Sequence, residues 1–331
     1  MRKLLLTSSA LVAAASISSY AVADVSVSGG FEWRYTSISS GVAADDGTEF
    51  GTDNTVTISF SNKTDSGLSL LGVYDMDADS AGSDMDESYL QIGGGFGTLR
   101  LGQKDAAVES FGIGEHDLID EDLSQTPTNA SIVTTAGETG GGDSNKLTYI
   151  TPNMGGFQAG YSMADSGTAV QSEDQTAMGA SYTMPLDGGS LMIRYNKQAT
   201  DGTAALETEG SNYGAKLVMG AASMIIAHGS STIGAGTSQT DDREANGVSV
   251  RYNMGGGMSI GASTMTAEDD KAKTAAGVAE KYTANIAEVS YTVAPGLTAK
   301  VTYLDYDYEN GSTGAVDDSG SITQFTVSAS F

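Results

Sequence analysis

Two stretches of the chain gather enough acidic side chains to do chemistry. Residues 75 to 87 read DMDADSAGSDMDE, and Asp75, Asp77 and Asp79 stand at the alternate spacing with which a calcium loop begins. Residues 105 to 143 carry Asp105, Glu109, Glu115, Asp117, Asp120, Glu121 and Asp122 together with His116, and no Lys or Arg. The first pattern is incomplete as an EF-hand. Ser80 stands where the sharp turn needs Gly, Asp86 replaces the bidentate Glu, and the flanking segments look like strands rather than helices. Calcium is therefore the one cofactor these residues suggest, against the plainer reading of a solvated acidic loop. Enzymatic chemistry has less to work with. His116 and His228 are the only histidines, neither lies in a metal or nucleophile motif, and the GGGFG segment lacks the strand-to-helix setting of a phosphate loop. No enzyme is expected.

The elements that would position these residues are strands. Segments in which apolar and small polar residues alternate recur sixteen times, from VSVSGGFEWRYT at residue 25 to SITQFTVSASF at residue 331. Alternation with period two gives each strand one apolar and one polar face. Two segments, around Leu68 and Ala222, alternate weakly. The connections alternate as well: short ones such as PLDGG and APG are rich in Gly and Pro, whereas residues 37 to 53, 75 to 84, 105 to 143, 229 to 243, 268 to 281 and 309 to 319 are long and polar. Short turns at one rim and long loops at the other, around an even strand number, are the plan of a transmembrane β-barrel. A sandwich needs no such rule.

The ends and the composition agree. Arg2 and Lys3 precede an apolar, small-residue run that closes on Ala21-Val22-Ala23, so residues 1–23 read as a signal peptide and 24–331 as the barrel domain. Removing the leader leaves 331 less 23, or 308, residues and takes the formal charge from −26 to −28, because two cations leave with it. That charge argues against nucleic acid and bare anionic membrane surfaces as partners. Cysteine is absent, which excludes a small disulfide scaffold. Beyond residue 23 no apolar run reaches the roughly 20 residues of a transmembrane helix. Any crossing of a membrane must then use a closed barrel.

Period two also places the cations. Arg34, Arg100, Arg194, Lys216, Arg251 and Lys300 each sit between apolar neighbours and Lys146 sits beside Leu147, so all seven point to the barrel interior while the apolar neighbours face lipid. On the lipid face a cation near the midplane costs about 2–4 kcal/mol, which favours the same assignment. A plainer role is that some of these cations pair with adjacent acids and hold the wall. Phe325, Val327, Ala329 and Phe331 would face lipid, with Gln324, Thr326 and Ser328 facing a water-filled interior. Tyr35, Tyr161, Tyr195 and Tyr303 would form an aromatic girdle at the long-loop rim, and Tyr149, Tyr182, Tyr252 and Tyr291 one at the turn rim.

The leader, GFGTLRLGQKD before the longest loop, NKLTYITPNMGGFQAGYSM after it and the terminal Phe331 resemble those of the general porins of Gram-negative bacteria, more closely the alphaproteobacterial branch. The resemblance implies an all-β, antiparallel barrel of about 16 strands in the outer membrane, assembled as a homotrimer among outer-membrane lipids. It implies a long third external loop folded into the lumen, which would carry the seven acids of residues 105 to 122 to the pore constriction, opposite the basic wall. The C-terminal aromatics, Phe325 and Phe331, would be the signal read by the barrel assembly machinery. The function so implied is passive diffusion of small hydrophilic solutes and ions, with cations preferred because fixed acids line a narrow passage. Two alternatives stand beside it: a substrate-specific channel, and a secreted surface adhesin or calcium-binding β protein that closes no pore. If Arg34, Arg100, Arg194 and Arg251 converged at the narrowest point, they would cancel the loop acids.

Overall fold

The computed structural model describes residues 23–42, 46–78, 84–119, 144–164, 174–201, 207–234, 241–270, 279–309 and 317–331. The leader expected at residues 1–23 lies, save for Ala23, outside them. Sixteen strands follow: β1 (Asp24–Ser40), β2 (Gly47–Lys63), β3 (Ser69–Asp77), β4 (Asp84–Gly94), β5 (Gly97–Gln103), β6 (Asn145–Ile150), β7 (Phe157–Ala164) and β8 (Asp174–Leu186). The second half comprises β9 (Gly189–Asp201), β10 (Thr208–Met219), β11 (Ala222–Ile233), β12 (Asp241–Gly255), β13 (Met258–Asp269), β14 (Glu280–Ala294), β15 (Leu297–Glu309) and β16 (Asp318–Ser330). Each pairs antiparallel with its sequence neighbours, and β1 pairs with β16 to close the barrel. Closure leaves no edge strand, which is what a sheet surrounded by lipid requires.

Every alternating segment of the sequence falls on one of these strands. The short turns are as tight as their composition suggests. Asp187-Gly188 links β8 to β9 with Gly188 at φ +80°, the left-handed conformation that a two-residue hairpin demands and that Gly adopts without strain. Outward-facing side chains form an apolar band: Val289 and Tyr291 on β14, Val301 and Tyr303 on β15, and Phe325 on β16 are all exposed. Tyr161 and Tyr149 are directly paired in register across β6 and β7. Their assignment to opposite rims is therefore corrected, because cross-strand partners lie only about 5 Å apart.

The strands run further than the alternation suggested. The long connection expected at residues 37 to 53 is mostly strand, with β1 reaching Ser40 and β2 starting at Gly47. At the loop ends of β12 to β15 the usual facing is inverted. Glu268, Lys281, Asp305, Asp307 and Glu309 point outward and are exposed, whereas Met265, Tyr282, Leu304, Tyr306 and Tyr308 point inward into a buried apolar cluster. The cause is height. Fifteen residues of β14 at about 3.4 Å each, tilted near 45°, rise roughly 35 Å, beyond an apolar band of about 25 Å. Above that band the outer face meets water, so the apolar side turns inward as in a soluble sheet. The lumen is also more crowded than expected: Gln324 and Thr326 point inward but are 3 % and 2 % exposed, and Gln324 donates to Thr36 Oγ1 at 3.3 Å. Inward side chains converge on a concave surface and cover one another.

Candidate functional site: the inward-folded loop

β5 and β6 are only 7 and 6 residues long, so they end low on the wall. From the top of β5 the chain turns into the barrel. Helix α1 (Ala107–Phe111) packs on the inner faces of β6, β7, β8 and β9, and a 3₁₀ turn at Glu115–Leu118 packs on β11, β12 and β13. This segment is amphipathic. Ala107, Val108, Phe111, Ile113, Leu118 and Ile119 are buried against the wall, while Glu109 and Asp117 are exposed. Burying a side chain the size of Phe or Ile contributes roughly 1.5–3 kcal/mol, which a loop standing in external solvent would forgo.

A helix of five residues leaves nearly all of its backbone groups without an internal partner, and a buried orphan costs about 1–3 kcal/mol. The wall supplies the partners. Ser162 Oγ accepts from Ala107 N–H at 2.6 Å, and Asn196 donates to Val108 O at 3.2 Å. Arg194 Nη1 donates to Gly112 O at 2.6 Å. Asn212 Oδ1 accepts from Ile113 N–H at 2.9 Å, and its Nδ2 donates to Ile113 O at 2.8 Å. Arg251 Nη1 reaches Leu118 O at 2.7 Å while Nη2 donates to Ser259 Oγ at 2.6 Å. At the base of the loop Lys104 pairs with Glu87 and with Asp105 (3.2 Å), and Lys146 Nζ donates to Lys104 O at 3.1 Å. Burial pulls the Lys104 ammonium down, but the carboxylates of Glu87 and Asp105 outweigh it and hold its pKa above the ordinary lysine value.

The residues singled out in the sequence thus separate into groups. Of the acids, Glu109 and Asp117 are exposed on the loop, with Asp117 also accepting from Gly114 N–H at 3.3 Å; Asp105 pairs with Lys104, and Glu115 is buried. Asp120, Glu121 and Asp122 lie outside the described residues. Of the cations, Arg194 and Arg251 stand beneath the loop, on its own side of the lumen, rather than across the passage from it. Arg34 is held by Glu32 at 2.6 Å and Asp53 at 2.9 Å, and Lys300 lies 4.0 Å from Glu32. Arg100 donates to Gln91 at 2.8 Å, and Lys216 is half-buried on the inner face of β10. Asp75 and Asp77 belong to the extended strand β3, where Asp75 accepts from Thr57 Oγ1 at 2.8 Å, and Asp79 lies outside the described residues. Among the described residues no three His, Asp or Glu side chains gather in a way that could hold a metal ion. Sequence reasoning missed Ser162, Asn196 and Asn212. Their one signal is that Asn is depleted in strands, yet Asn196 and Asn212 are register partners in the middle of two.

A closed sixteen-stranded barrel with a loop fastened to its inner wall narrows the field, and a family model decides it: the model described as "Gram-negative porin" matches residues 7–331. The chain belongs to that family. It is an outer-membrane channel. No curated protein matches the chain. Among solved structures this porin is similar to the anion-selective porin from Comamonas acidovorans, with a TM-score of 0.68 and 15 % identity over 93 % of this chain and 100 % of that one. It is also similar to the trimer form of OmpT, an outer membrane protein of Vibrio cholerae, with a TM-score of 0.68 and 11 % identity over 94 % and 100 % of the two chains. The outer membrane channel DcaP of Acinetobacter baumannii follows, with a TM-score of 0.65 and 13 % identity over 96 % and 100 %. At such identities the likeness establishes the fold.

Proposed function

We propose that this porin is a general diffusion channel for small hydrophilic solutes, preferring cations, and that it works as a homotrimer inserted by the barrel assembly machinery. The observation that carries the preference is the amphipathic loop, which turns its apolar side to the wall and its backbone carbonyls to the wall arginines and leaves Glu109 and Asp117 exposed. Elsewhere on the inner wall Glu32, Arg34, Asp53 and Lys300 form a cluster whose charges cancel, and beneath the loop Arg251 lies 3.5 Å from Glu288, which offsets its charge. Fixed negative charge between low-dielectric walls concentrates cations. The fold alone does not set that sign, since one structural relative is described as anion-selective. The trimer is supported by the trimeric form of another. Membership of a channel family displaces the surface-adhesin alternative.

The test is reconstitution. Proteoliposomes should swell in small sugars and amino acids without strong preference, and a KCl gradient across a planar bilayer should give a reversal potential of cation-selective sign. Swelling for a single solute only would favour a substrate-specific channel, and an anion-selective potential would overturn the charge assignment.

A further inference from the structure

Five glycines face inward on the wall beneath the loop, each on a different strand: Gly160 on β7, Gly179 on β8, Gly214 on β10, Gly247 on β12 and Gly261 on β13. None has a positive φ, so no backbone conformation requires Gly at these positions. Glycine in a strand interior weakens the strand, and five on one stretch of wall call for another reason. The reason lies in what a side chain there would strike. A Cβ on Gly160 would come within 2.6 Å of Phe111 Cε2, one on Gly179 within 2.5 Å of Phe111 Cβ, one on Gly247 within 2.5 Å of the Glu115 carboxylate, and one on Gly261 within 2.4 Å of Ile119 Cγ2. On Gly214 it would meet Ile113 Cγ2 at 2.8 Å, and the backbone oxygen of Ile226 as well. Ordinary contact begins near 3.4 Å, so a methyl group at any of the first four requires its loop neighbour to give way by about 1 Å. On the opposite side Gly51 also faces inward, on β2, and a Cβ there would meet its nearest atom, Arg34 Cβ, at 3.9 Å.

We propose that these glycines form a seat that sets the width of the pore: by removing one layer of side chains from β7 to β13 they let the loop lie flat on the wall, and each restored methyl moves it toward the channel axis. Asn196, Arg194 and Arg251 then fix the loop at the depth the glycines allow. The loop cannot retreat in the other direction, because the barrel wall is one strand thick and closed by backbone hydrogen bonds. The pore radius is the property that responds.

The experiment is single-channel conductance of purified protein in planar bilayers for Gly179→Ala, Gly261→Ala and the control Gly51→Ala. Conductance should fall by roughly a tenth to a third in the first two, as expected for a constriction narrowed by about 1 Å, and stay at the parental value in the control. Parental or larger conductance in both seat variants would overturn the proposal. A double-mutant cycle covers a variant that fails to fold: Ile119→Ala, which removes the Cγ2 methyl that a Cβ on Gly261 would strike and leaves Ile119 Cβ at 3.9 Å, should rescue assembly of Gly261→Ala and bring its conductance to that of Ile119→Ala alone. A double variant that still fails to assemble, while Ile119→Ala alone assembles, would show that Gly261 serves the strand and not the loop. Conductance, not selectivity, is read throughout, so failure here leaves the cation preference standing.

Discussion

Asn212 makes two hydrogen bonds to a single loop residue, accepting from the N–H of Ile113 and donating to its carbonyl. Both partners are buried, so an apolar replacement of similar size leaves two backbone groups with neither protein nor water to bond. Asn212→Leu should therefore destabilise the folded barrel by about 1–3 kcal/mol for each group left unpaired, read as a lower thermal midpoint in detergent. Asn212→Asp keeps one acceptor and should recover part of the loss. Arg194 and Arg251 belong to the same set of loop ties, and this is where inference from sequence stopped short. Period two correctly turned both arginines inward, because the alternation of Ile193, Arg194 and Tyr195 is visible in the chain. That each spends its guanidinium on a loop carbonyl is invisible there, since it depends on a segment about 80 to 130 residues away in sequence.

Elements were more legible than residues. A strand advertises itself wherever one face meets lipid and the other does not, and every segment so marked became a strand. What alternation could not show is that the apolar parity changes faces where a strand rises above the lipid band. The ladder between Glu268 and Lys281, or between Asp307 and Thr283, continues on backbone hydrogen bonds with polar side chains outside and the apolar set inside. The same two regimes along one strand carry a prediction for β15. Val301, within the apolar band, should tolerate arginine badly, Val301→Arg weakening folding into lipid vesicles by about 2–4 kcal/mol, whereas Asp307→Arg, above the band, should change it by about 0–1 kcal/mol. Urea titration of folding into vesicles measures both, and equal costs would remove the inference that β15 outgrows the membrane. The glycine seat was illegible for a related reason: Gly179 and Gly261 look like any small residues of a pleated strand until Phe111 and Ile119 are placed over them.

At the scale of the whole molecule the barrel is closed by its two ends. β1 and β16 pair along their length, and Phe331 and Gly29 exchange backbone hydrogen bonds, 3.0 Å from Phe331 N–H to Gly29 O and 3.3 Å in the other sense. The Phe331 side chain itself is 83 % exposed, so it adds little packing to the finished barrel. Removing it should lower the amount of barrel assembled in cells while leaving the conductance of assembled molecules unchanged, and a normal yield would argue against a role in assembly. The channel formed by that closure is shaped by one inward segment, and the sign of its selectivity is assigned to two exposed carboxylates on it. The most direct test is the reversal potential under a KCl gradient for the parent and for Glu109→Gln/Asp117→Asn, whose altered side chains face the lumen and take no part in fastening the loop through Arg194, Asn212 or Arg251. Cation preference should shrink in the double variant, and the difference should fade as salt rises and the Debye length shortens to roughly 3 Å at 1 M. A reversal potential identical to the parent's at low salt would contradict the assignment of the selectivity to this loop.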